Sequence, residues 1–225
     1  MTDVPIERSL GPTRAQAPFG TPEEVAYENR AAETALYIGG RVAISIYAFA
    51  FAALAFAFFY LRSSNSGGLW RPNHMTAPTP IGAAVMAFSV AGGVTFWYAV
   101  SRFRRSRFDD WEVAGWVSVA MALAGTAAQC WELSDLPFFP GRSGYSSVFI
   151  AWAGMNIFLL LSVAYWSETL IVRSARMRRA RMEEGGGNGG GLIPPVFRVN
   201  VGAAASFWVF AAVVSLLFWV FFYQL

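Results

Sequence analysis

The sequence predicts an all-α protein: a transmembrane bundle of five helices, with the N-terminus cytoplasmic and the C-terminus periplasmic. Three observations carry this. Hydrophobic residues make up 56% of the 225-residue chain, and mean hydropathy is +0.42. That is more apolar surface than a soluble domain of this size can hide, but a bilayer accepts it. Apolar segments recur at 42–61, 80–100, 113–131, 146–172 and 200–223. Each can cross the hydrocarbon layer as a helix rising about 1.5 Å per residue. Lone strands would leave backbone groups unpaired in lipid, and five such segments argue against buried soluble helices. Finally, the arginines divide unequally. Fourteen fall in the N-terminal arm and the second and fourth loops, and three fall in the other loops. Excess positive charge marks the cytoplasmic side.

Composition also excludes chemistry. The chain has one cysteine, Cys130, and one histidine, His74. No internal disulfide or cysteine cluster is possible. A haem or copper centre needs several imidazole or thiolate ligands, so no metal or cofactor is expected in this chain. Cys130 reads as an inert apolar filler, and His74 as a solvated loop residue. All 17 basic residues are arginine, and the net charge of +3 follows membrane topology rather than indicating nucleic acid. Nine tryptophans suit the two membrane interfaces.

Residues 1–34 form a polar arm with four prolines. It lacks the basic start and apolar core of a signal peptide. Thr21 followed by Glu24 marks the start of a short helix in this arm. The membrane domain covers 35–225. Its second segment opens at Pro78-Thr-Pro80, where a first helical turn tolerates proline. Gly82, Met86, Ser89 and Gly93 give that segment a narrow face that suits close helix packing.

The third segment has the clearest pattern. Ala114, Ser118, Ala122, Gly125, Gln129 and Glu132 follow steps of four and three, which puts all six on one helix face. Small residues let membrane helices approach closely, so Gln129 and Glu132 belong to a packing interface. Ser147, Ala151 and Gly154 give the fourth segment a comparable face, and the short loop between them favours antiparallel neighbours. The expectation is that helices three and four pack along these two seams. Beyond Val172 an arginine run extends the fourth helix into the cytoplasm. Arg102, Arg104, Arg105, Arg173 and Arg176 are expected at anionic lipid head groups. The glycines of 185–191 form a flexible linker. They neither follow a strand nor open a helix, so they do not read as a phosphate cradle.

Gln129-Cys-Trp-Glu132, then Tyr145-Ser-Ser-Val-Phe149 and Gly154-Met-Asn156, resemble subunit III of the haem-copper cytochrome c oxidases. That family reads Q-x-x-E, Y-G-S-x-F-F and T-G-x-H-x-x-H. Tyr145, Ser147, Phe149 and Gly154 fit. Ser146 stands at a glycine, and Asn156 and Leu159 stand at the histidines. The aromatic run of 51–62 and Trp70-Arg71-Pro72 are similar to the family's first helix and W-P-P, with Ala48 where a buried glutamate belongs. The last segment resembles W-H-F-V-D-V-V-W through Trp208, Phe210, Val213 and Val214. Val209, Ala212 and Ser215 stand at its His, Asp and second Trp. Losing both halves of a buried polar network together implies its replacement by apolar packing.

The resemblance implies a non-catalytic subunit III, in the five-helix form, of a bacterial haem-copper terminal oxidase. It would sit in the inner membrane and serve aerobic electron transport. Haem and copper would lie in partner subunits. This chain would pack on catalytic subunit I and other oxidase subunits, and would bind structural phospholipid.

Two residue-level choices stay open. Gln129 and Glu132 form either a polar cluster near a proton or lipid path or, more simply, an interfacial pair capping the loop with Arg142. Asn156 either stands in for the family histidine or, more simply, bonds a local carbonyl or a neighbouring helix. Among whole-protein alternatives, the subunit III-like partner of nitric oxide reductases is compatible with the motifs. A small transporter or channel needs polar groups facing a mid-membrane cavity, and only Asn156 and scattered Ser and Thr lie deep. An intramembrane enzyme needs a nucleophile, base or metal cluster, and the sequence offers none.

Overall fold

A computed structural model describes residues 21–65, 68, 70–72, 75–183 and 194–225. The first 20 residues of the arm, His74 and the 185–191 linker lie outside the described residues. The chain forms α1 (Pro22–Ser63), α2 (Thr79–Arg104), α3 (Phe108–Ser134), α4 (Gly144–Glu183) and α5 (Pro195–Trp219). A π-helical turn, Val220–Gln224, ends it. All five helices are long and apolar enough to cross a membrane, and there is no strand among the described residues.

The Thr21 hydroxyl caps α1, accepting from the Glu24 amide at 3.3 Å. The helix it starts is not short: it continues for 42 residues. The Glu- and Ala-rich stretch before the apolar segment propagates a helix well, and hydropathy marks where lipid begins, not where the helix does. α4 likewise runs 40 residues and carries the arginine run. At about 1.5 Å per residue both are close to twice the hydrocarbon thickness. Up-and-down alternation brings the start of α1 and the end of α4 to one end of the bundle, with the α2–α3 turn and the start of α5. This is the arginine-rich end.

α2 and α3 share the most extensive contact, α4 packs on α3, and α5 lies against α2. α1 packs on α4 and α5 from outside. Its membrane window is 11% buried, against 50% for α4, so α1 is a peripheral helix. Phe49, Phe56 and Tyr60 project from its outer face.

At the other end an aromatic floor closes the bundle. Trp70 packs edge-on against Phe58 and Tyr145. Phe149, Trp152, Phe218 and Phe222 fill the space behind them. The last carbonyls of a helix lack internal partners. Here the Phe222 carbonyl accepts from Arg71 Nη2 at 3.1 Å and from the Tyr145 hydroxyl at 3.2 Å.

The α3 seam is buried along its whole length: Ala114, Ser118, Ala122, Gly125, Gln129 and Glu132 all face inward. The α4 seam is a correction. Ala151 is exposed, and a Cβ on Gly154 would meet nothing within 4 Å. Gly154 therefore makes no tight helix contact. The face that α4 presents to its neighbours carries Tyr145, Phe149, Trp152, Asn156 and Leu160. α3 fits it by being thin: a Cβ on Gly115 would sit 2.7 Å from Ile171, and one on Gly125 would touch Leu160 of α4 and Phe88 of α2 at 3.4 Å.

Candidate functional site

Where α2, α3, α4 and α5 meet near the aromatic floor, their buried polar side chains join into one hydrogen-bonded chain. α3 places Gln129 and Glu132 one turn apart on its inner face. Gln129 Nε2 donates to Glu132 Oε2. The Tyr223 hydroxyl, from the turn after α5, donates to Glu132 Oε1. Asn156 Nδ2, from α4, donates to Gln129 Oε1 at 3.1 Å. Ser215 Oγ, from α5, lies 3.1 Å from Asn156 Oδ1 and 3.0 Å from Ser89 Oγ of α2. Ser89 in turn reaches the Val85 carbonyl at 3.0 Å. Ser89, Gln129, Glu132, Asn156 and Ser215 are all buried.

The donors share a direction. From Ser215 through Asn156 and Gln129, and from Tyr223 on the other side, each points toward the Glu132 carboxylate. Both carboxylate oxygens accept from neutral groups. No cation lies within 4.0 Å of them among the described residues. Low local dielectric strengthens such a satisfied set and makes any one loss costly.

Glycine makes room for it. A Cβ on Gly82 would lie 2.2 Å from Tyr223 Cζ, so only a bare α2 backbone lets Tyr223 reach Glu132.

Three expectations are corrected here. Glu132 does not cap the loop with Arg142, which instead reaches the Pro137 carbonyl at 3.5 Å in an exposed position. The polar network is not replaced by apolar packing: Asn156 and Ser215, at positions where the resemblance puts a histidine and a tryptophan, carry a network of their own. Cys130 is exposed and fills no packing gap, because it lies about 100° round α3 from Gln129, off the buried seam. Asn156 follows the simpler expectation in its second form: it bonds neighbouring helices, α3 and α5. Tyr223 and Ser215 were not selected as partners from sequence. Their signal is faint: one phenol and one of two serines in an otherwise apolar last segment.

This chain fastens helices and is poorly suited to relaying protons. A carboxamide donates only from nitrogen and accepts only on oxygen. Passing a proton through Gln129 or Asn156 would need a high-energy imidic acid form.

The arginine-rich end is built differently. Arg178 of α4 pairs with Asp109 and with Glu112, the latter at 3.1 Å. Trp111 Nε1 donates to Ser174 Oγ at 2.9 Å. Arg102 and Arg107 approach Asp110 at 3.8 and 3.9 Å. Arg102 also lies 4.6 Å over the Tyr98 ring, so it is tied within the protein rather than free for head groups. Arg104, Arg105, Arg173 and Arg176 are exposed.

Five helices of membrane-spanning length and composition, four of them meeting at a buried polar seam, define a multi-pass membrane protein. No protein-family model matches the chain, and no curated protein matches it.

Proposed function

We propose that the chain is a non-catalytic subunit III of a bacterial haem-copper terminal oxidase, supporting the catalytic subunit in the inner membrane. The observation that carries the reading is convergence. Gln129 and Glu132, Tyr145, Asn156 and Ser215 lie on the stretches that resemble the family. They come from three helices and gather at one end of the bundle, around Glu132 and the Phe222 carbonyl. The arginine excess at the opposite end favours a cytoplasmic N-terminus and a periplasmic C-terminus. The peripheral α1, with its apolar outer face, offers a broad surface to lipid or to a large subunit. Haem and copper belong to the partners in this reading, and the chain supplies packing.

Affinity purification of the tagged chain from its native membrane, followed by a reduced-minus-oxidised spectrum, tests the proposal. It predicts co-purifying haem with dioxygen reduction. Haem with nitric oxide reduction instead would move the chain to the related reductases. A homogeneous, cofactor-free particle with transport activity in liposomes would reject the oxidase reading.

A further inference from the structure

We propose that the start of α1 and the end of α4, where both helices run on past the membrane, pair this chain with a second copy of itself, Glu28 of each copy meeting Arg176 and Arg179 of the other. The inference needs only that the chain spans a membrane, and it is independent of the oxidase reading.

α1 and α4 are antiparallel. A Cβ on Gly40 would sit 3.6 Å from Trp166 and 2.9 Å from Ala203, so at this level α1 is closed against the bundle. Between there and its start it runs alone. Every side chain from residue 25 to residue 32 is exposed, and a short helix with no packed face is marginal in water. Counted from the Gly40–Trp166 contact, Glu28 is level with the turn of α4 that holds Arg176 and Arg179, about 18 Å further on. All three are exposed and have no ion pair among the described residues. The nearby acids are already taken: Asp109 and Glu112 by Arg178, and Asp110 by Arg102 and Arg107.

Helix geometry turns these groups away from each other within one chain and toward a neighbour. Glu28 is about 120° round α1 from the Gly40 face. Arg176 and Arg179 are about 80° and 140° round α4 from the Trp166 face. In antiparallel helices these turns lead to one flank, so the acid and the two bases look outward side by side. Arg30, the one basic residue among residues 22–38, is about 160° round from Glu28 and off this flank. About five turns toward the other end of the bundle, on the same two lines, Ile46 and Phe158 are each 65% exposed. Nothing among the described residues covers the flank. A two-fold axis along the membrane normal sets the acid of one copy against the bases of the other at the same height, twice over, which is the self-complementary form such an interface requires. Anionic lipid would suit the arginines but would be repelled by Glu28.

The test is co-expression of two differently tagged copies of the full chain, followed by pull-down and native mass spectrometry in mild detergent. Unaltered copies should purify together as dimers, and less so as salt is raised. Glu28→Arg copies alone, and Arg176→Glu/Arg179→Glu copies alone, should associate about ten-fold more weakly or worse, because like charges then face each other at both contacts. Co-expressed with each other, the two variants should regain the dimer, since both contacts are again opposite in sign. Neither lipid binding nor pairing within one chain produces that rescue between chains. Both variants should keep the helix content of the unaltered chain, because the altered side chains are exposed. Monomeric unaltered chains, variants that dimerise alone as well as the unaltered chain does, or a mixed pair that stays apart would each overturn the proposal.

Discussion

The two ends of α3 handle carboxylates in opposite ways. At its start, Asp109, Asp110 and Glu112 meet arginines from α2, the turn and α4 at positions that water reaches. At its finish, Glu132 is fully buried and held by an amide and a phenol. The first arrangement is tolerant, because water replaces a lost partner. The second is not, because each lost donor or acceptor leaves another buried group unsatisfied. Stability should therefore depend steeply on one end of the helix and weakly on the other, and substitutions can rank the two.

The largest effect is expected at Gly82→Val. The new side chain collides with Tyr223, which must leave Glu132. Overpacking and a stripped carboxylate oxygen together should cost about 3 kcal/mol, read as a fall in unfolding free energy in mixed micelles. Glu132→Leu comes next. It orphans the Gln129 amide and the Tyr223 hydroxyl and should cost about 2 kcal/mol in the same assay. Asn156→Leu leaves Gln129 Oε1 without its donor and frees Ser215 to turn to Ser89. A cost of about 1 kcal/mol is expected, in keeping with interhelical hydrogen bonds in membranes. Arg178→Gln is smaller still. Its pairs are partly exposed, with 33% of the arginine and 89% of Asp109 accessible, so the loss should stay below about 1 kcal/mol and shrink as salt is added. Smallest is Ser106→Gly, which relieves a left-handed serine and should stabilise by a few tenths of a kcal/mol. A steep loss at Arg178 with little at Glu132 would reverse the ranking.

The difference between seams also explains what was legible in the sequence. α3 announced its inner face because small residues lead up to two polar ones, and only one face has both. α4 misled because a small residue in a membrane helix suits a tight contact and also tolerates lipid, as Ala151 and Gly154 do. Its true contact face is aromatic, and aromatics ring that segment on every side. The partners of Glu132 were hidden for another reason. Tyr223 lies 91 residues away, and nothing local in sequence joins it to Gly82, the glycine that admits it. Helix number followed from apolar length, but the extensions of α1 and α4 lie beyond the lipid, where hydropathy is silent and propensity decides.

The central claim is that the buried chain around Glu132 fastens helices and performs no chemistry of its own. Under the proposed oxidase function, its most direct test is Glu132→Gln in the complex purified from native membrane, scoring subunit retention and dioxygen turnover per haem. The amide keeps the shape and still accepts from Tyr223, and its nitrogen can donate to Gln129 Oε1 once the Gln129 and Asn156 amides flip, so the account predicts retained association and unchanged turnover. Turnover that falls while association holds would contradict it and make Glu132 a participant in the reaction.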